Sequence, residues 1–99
     1  MFGGNQQEML QKMQEAMEQS KLRLENSKVY GEAGGGLIRI ELNGNRKLQS
    51  LEINAPLAQI EKEDLEDLLT VALQRALEEA EKVNEKEMSS SAMNFLPKF

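Results

Sequence analysis

The sequence predicts an α/β (α+β) domain built as helix, three-stranded antiparallel sheet and long helix. Two observations carry that expectation. Ile38, Ile40 and Leu42 alternate with Arg39 and Glu41 and run into Asn43-Gly44, the pattern of a strand covered on one face and ended by a hairpin turn. Leu65, Leu68, Leu69, Ala72, Leu73, Ala76, Leu77, Ala80 and Val83 spread over roughly half of a helical wheel, which marks a helix with a broad buried face.

The elements follow in order. Met9, Met13, Ala16, Met17 and Leu24 fall within about a third of a wheel at ~100° per residue, which predicts a first helix from about Asn5 to Asn26. A short strand over Ser27 to Ala33 leads into Gly34-Gly35-Gly36. With Gly31, these glycines can take positive φ or admit close backbone approach. The central strand is expected over Leu37 to Asn43 and a returning strand over Lys47 to Ile53. Asn54-Ala55-Pro56 breaks the sheet pattern, because proline cannot donate to a ladder and biases its predecessor away from the helical region. The long helix is expected from about Lys62 to Met88, stopped by Ser89-Ser90-Ser91-Ala92. Residues 1–88 then form a single domain, and residues 89–99 a tail that contains Pro97.

A chain of 99 residues is one domain by length, with a modest core. Its four aromatic residues are Phe2, Tyr30, Phe95 and Phe99, so that core has to be aliphatic. Cysteine and histidine are both absent, which removes thiolate nucleophiles, disulfides, nitrogen and sulfur metal ligands and the usual general base near neutrality. No catalytic residue, metal or cofactor is therefore expected. The opening Met-Phe-Gly-Gly-Asn has neither a basic region nor an apolar run, and no segment approaches the ~20 apolar residues of a membrane span. A cytoplasmic protein without a membrane partner is the expectation.

Net charge is −5 and unevenly placed. Residues 1–55 hold seven acids and seven bases, whereas residues 56–99 hold ten and five. Much of the excess lies at the start of the long helix, as Glu61, Glu63, Asp64, Glu66 and Asp67, where the macrodipole favours it. On the first helix the charges are sorted. Lys12 and Arg23 flank the apolar stripe on one side, Lys21 and, if the helix ran that far, Lys28 on the other, with Glu8, Glu15, Glu18 and Glu25 behind. Such a face could contact phosphates, or its long stems could snorkel beside a buried stripe. Arg46 and Lys47 add two bases at the hairpin tip. Arg75, Lys82 and Lys86 align on the second helix, but Glu78 and Glu79 stand one turn away and suit a solvated, ion-paired face. The methionine ladder at 9, 13 and 17 suits core or dimer packing and also an adaptable partner surface.

Three short strands leave two open edges, and two helices with wide apolar faces exceed what one small sheet can cover. A homodimer is expected from this, with Ile38, Ile40, Leu42, Leu51 and Ile53 as its candidate scaffold.

Taken in order, the Met-rich helix, Gly31-Glu32 with Gly34 and Gly36, Leu37-Ile38-Arg39-Ile40, Asn43-Gly44, Leu51-Glu52-Ile53, and Leu65-Glu-Asp-Leu68-Leu with Ala72 and Ala76 resemble the YbaB/EbfC family of bacterial nucleoid-associated proteins. The likeness runs over nearly the whole chain. It implies a tweezer-shaped homodimer with helical arms, located in the cytoplasm and nucleoid. It also implies DNA binding, with a role in nucleoid organisation or gene expression, and no enzymatic activity. Charge sorting makes Lys12, Lys21, Arg23 and Lys28 the first candidates for DNA contact and Arg46 and Lys47 the second. The competing reading is a dimeric adapter whose Met-lined helix or tail binds a protein partner of the replication or repair machinery.

Overall fold

A computed structural model describes residues 2–93, with side chains over residues 6–91. Helix α1 spans Phe2–Glu25, strands β1, β2 and β3 span Lys28–Ala33, Ile38–Asn43 and Leu48–Ile53, and helix α2 spans Lys62–Met93. The sheet is antiparallel in the order β1-β2-β3. The elements come in the predicted order and near the predicted places, except that α2 runs past the expected stop at Met88 and α1 begins at Phe2 rather than near Asn5. The Pro97 tail read from the sequence lies outside the described residues.

Helix α2 lies across one face of β1 and β2. Val29 and Ala33 of β1 and Ile38, Ile40 and Leu42 of β2 are buried against Ala72, Ala76 and Ala80. The alanines matter for their size. A Cβ built on Gly31, in the middle of β1, would stand 2.1 Å from the Ala72 carbonyl oxygen and 2.3 Å from the Ala76 nitrogen. Strand and helix backbones therefore meet with almost no side chain between them, an approach that only glycine on one side and alanine on the other permit.

This narrow contact corrects the width expected for the α2 face. Leu73 and Leu77 are not buried and are 42% and 37% exposed. They sit on the flank that Asn84 marks, where the Asn84 amide donates to the Gly44 carbonyl oxygen at 3.3 Å. On the opposite flank Arg75 donates to the Glu32 carbonyl oxygen at 2.8 Å and occupies the outer edge of β1. Strand β3 lies beyond the helix. Leu51 pairs with Ile40 and Ile53 with Ile38, so both point to the face that α2 covers elsewhere. They nevertheless remain 47% and 39% exposed.

Two further differences have local causes. Asn43-Gly44 does form the second hairpin, but Arg46 nitrogen donates to the Asn43 carbonyl at 3.0 Å and Arg46 itself holds φ 66°. This is the three-residue loop in which a left-handed residue closes the turn. Gly44 serves another purpose: its nitrogen donates to the Leu24 carbonyl at 2.8 Å, and a Cβ there would lie 2.7 Å from Leu24 Cδ2. The sheet is thus docked on the end of α1. The serine run expected to stop α2 is helical through to Met93. Serine is only mildly unfavourable in helices, and the Ser20 and Ser91 hydroxyls meet at 3.0 Å to hold the two helices together.

Helices of 24 and 32 residues run for about 36 and 48 Å and give overall dimensions of 72 × 24 × 17 Å. The radius of gyration is 19.5 Å, against about 13 Å for a compact chain of this length. Helix α1 touches α2 through Ser20 and Arg23, while Met9, Met13 and Met17, placed on its apolar stripe by the sequence, are exposed.

Replacing Gly31 by Ala is expected to cost about 3 kcal/mol or more, since backbone on both sides has to yield. Gly35→Ala, with open space around it but φ 66°, should cost about 1 kcal/mol. Urea unfolding of the two variants checks the order. A Gly31 variant as stable as the Gly35 variant would contradict this packing.

Candidate nucleic-acid interface

The end of α1, the start of β1 and the β2–β3 turn converge at one corner of the protein. Asn45 ties them: its amide nitrogen donates to the Lys21 carbonyl at 3.1 Å and to Glu25 Oε2 at 2.8 Å. Asn43, fully buried, accepts from the Asn45 and Lys47 nitrogens at 2.8 and 3.1 Å through Oδ1. Lys28 opens β1 directly across from Asn43. The corner therefore gathers Lys21, Lys28, Arg46 and Lys47 from three separate stretches of sequence.

These bases are not equivalent. Lys47 is held at 3.1 Å from Glu25, so part of its charge is already answered. Lys21, Lys28 and Arg46 have no ion-pair partner among the described residues and stand exposed. Arg23 is turned the other way: Nε donates to Glu87 at 2.8 Å and Nη2 to the Ser20 hydroxyl at 3.2 Å, which fastens α1 to α2. Lys12 lies farther up α1, exposed and without an ion pair among the described residues. Two of the six basic candidates thus carry structural ion pairs and four present free charge.

The acids at these contacts respond. Hydrogen bonds from Asn45 and then Lys47 hold the Glu25 carboxyl below the usual carboxylate range, and the hydrogen bond from Arg23 does the same for Glu87. Asn45, Glu25 and Glu87 escaped the sequence reading. Asn45 carried a signal in the tendency of asparagine beside glycine to bond backbone in turns, whereas the two glutamates looked like any other on a helix surface.

The remaining surface is differently charged. On the open sheet face Arg39 lies 4.2 Å from the Tyr30 ring centroid and 3.4 Å from Glu32, a cation–π and ion-pair stack. Along α2, Lys82 pairs with Glu79, as the solvated-face reading expects, while Arg75 is engaged with β1 instead; Lys62 pairs with Glu66 at the start of the helix. The scaffold candidates divide. Ile38, Ile40 and Leu42 are buried in the chain's own core, and Leu51 and Ile53 offer apolar surface. No helix among the described residues is long and apolar enough to cross a membrane.

Comparison with known proteins gives the family and the fold. The model of the YbaB/EbfC DNA-binding family matches residues 2–95. A "Nucleoid-associated protein" of Hahella chejuensis (strain KCTC 2396) is 44% identical over 93 residues, covering 91% of this chain and 86% of that protein. A crystal structure of an uncharacterized protein from Helicobacter pylori superposes with a TM-score of 0.69 at 25% identity, covering 97% of this chain and 94% of the other.

The lowered Glu87 carboxyl sets a pH dependence. In the unfolded chain the group titrates near 4.5 and in the folded chain below that. The contact therefore stabilises fully above the unfolded value and is lost as pH falls through the folded one. Thermal melts followed by circular dichroism should show wild type losing stability on acidification more steeply than Glu87→Gln. Parallel pH profiles would contradict the Arg23–Glu87 contact.

Proposed function

We propose, from the premise that this chain belongs to the YbaB/EbfC DNA-binding family, that it is a DNA-binding nucleoid-associated protein acting through a local basic corner. It serves nucleoid organisation or the regulation of gene expression by binding, without catalysis, in the cytoplasm at the nucleoid. The supporting observation is the convergence of Lys21, Lys28 and Arg46 around the Asn45 junction, all exposed and unpaired among the described residues. Lys12, on the opposite side of α1 from Lys21 at ~100° per residue, is exposed but stands apart from this corner. Because the whole chain carries −5, attraction to phosphate has to come from this local surface and is strongly screened by salt.

The working unit in this reading is a homodimer. Leu51 and Ile53 of β3, with Leu73 and Leu77 of α2, leave an apolar corner uncovered, and each half-exposed side chain gains roughly 1 kcal/mol when water is removed from it. The edge of β1 is occupied at Glu32 by Arg75, which leaves the β3 side for self-association. A two-fold pairing there covers both apolar corners and doubles the basic corners available to one DNA duplex.

Fluorescence anisotropy against duplex DNA should detect binding at roughly 50 mM salt, with a slope of log K against log salt of about −4 to −7 for four to eight phosphate contacts per dimer. Lys21→Ala, Lys28→Ala and Arg46→Ala should each weaken binding and reduce that slope by about 1 or more, since a dimer presents each residue twice. Unchanged affinity in the triple variant would reject this corner as the interface.

Light scattering at micromolar concentration should return the mass of two chains, and Leu51→Glu with Ile53→Glu that of one. A monomeric wild type would exclude the dimer.

A further inference from the structure

The face of α1 that meets α2 does not end where α2 does. At ~100° per residue, Met17, Met13 and Met9 continue the line of Ser20 and Leu24 toward the start of the helix. Ser20 and Leu24 are buried, whereas the three methionines are 63%, 38% and 60% exposed. The helices run antiparallel, with Glu87 beside Arg23 and Ser91 beside Ser20. Each step forward along α2 is therefore a step back along α1, which brings the end of α2 at Met93 toward Met17. The groove bordered by Met17, Lys21, Leu24 and Met88 joins the two surfaces.

We propose that residues 94–99, Asn-Phe-Leu-Pro-Lys-Phe, pack on the Met9–Met13–Met17 stripe of the same chain. Six residues reach up to about 20 Å when extended, and the eight residues from Met17 to Met9 cover about 12 Å along α1, so the segment is long enough for the whole stripe. A residue that precedes proline, as Leu96 does in the sequence, is biased away from helical geometry, which suits an extended strap laid along a helix. The chemistry also matches: Phe95 and Phe99 are half of the chain's aromatic residues, and aromatic rings pack favourably on thioethers. This strap covers the surface on which an adapter would seat a protein partner, and it does not depend on DNA binding.

The chain has no cysteine of its own, so paired cysteines report proximity without background. In the full chain, Met13→Cys with Phe95→Cys should form a disulfide within one chain under mild oxidation, several-fold faster than Leu22→Cys with Phe95→Cys, because Leu22 points away from the stripe. Equal rates, or a disulfide joining two chains, would overturn the proposal, the latter by naming a second copy as the occupant. Methyl-labelled methionine spectra give a second readout. Removal of residues 94–99 should shift the Met9, Met13 and Met17 methyl signals through loss of the phenylalanine ring currents. Signals unmoved by that truncation would overturn it equally.

Discussion

Helix α2 can lie on the sheet only as closely as Gly31 allows, and this approach governs the rest of the protein. Because Ala72 and Ala76 meet the β1 backbone directly, the contact is thin and tight. Its fully buried large side chains come from the sheet, Ile38, Ile40 and Leu42, while the helix places alanines at the centre and packs Leu65, Leu68, Leu69 and Val83, only partly buried, around them. A larger residue on the helix would lift it and open the core on both sides. The same closeness narrows what α2 can cover. Its alanines take the centre of the contact, so Leu73 and Leu77 are left on a flank and β3 lies outside the helix's reach. The apolar surface left uncovered is thus the geometric counterpart of the packing that forms the core.

Much of the architecture was legible in the sequence because its signals are local. The Ile38-Ile40-Leu42 alternation, the Pro56 break and the long apolar stripe each reflect a single element's own periodicity, and each element stands where that periodicity puts it. What escaped depends on contacts between elements. The spacing puts Leu73 and Leu77 toward one edge of the stripe, but a helical wheel gives angle and not the distance to a strand, so it does not say how far out the covering ends. Ser89-Ser90-Ser91 reads as a stop until Ser20 is known to wait opposite Ser91. Similarly, Asn43-Gly44 announces a turn without saying that Arg46 will take the left-handed position.

The basic residues teach the same lesson at the level of charge. Along α1 they look alike, yet Arg23 is consumed by Glu87 and Lys47 by Glu25, while Lys21, Lys28 and Arg46 are assembled from a helix, a strand and a turn. The corner is built from neutral amides as much as from cations: Asn43 and Asn45 supply the hydrogen bonds that keep the turn against the helix. An acidic protein can in this way carry a compact positive site. Its excess carboxylates sit largely at the far end of the fold, around the start of α2.

The anchoring of α1 has a mechanical consequence. Among the described residues its hydrogen bonds to α2 and the sheet lie in its last turns, from Ser20 onward, so any tilt of the helix pivots near Leu24. The fifteen residues from Leu24 back to Met9 make an arm of about 22 Å. A tilt of about 10° at that pivot carries the Met9 end through about 4 Å over that length. A few side chains around Ser20 and Arg23 thereby set the direction of the whole arm.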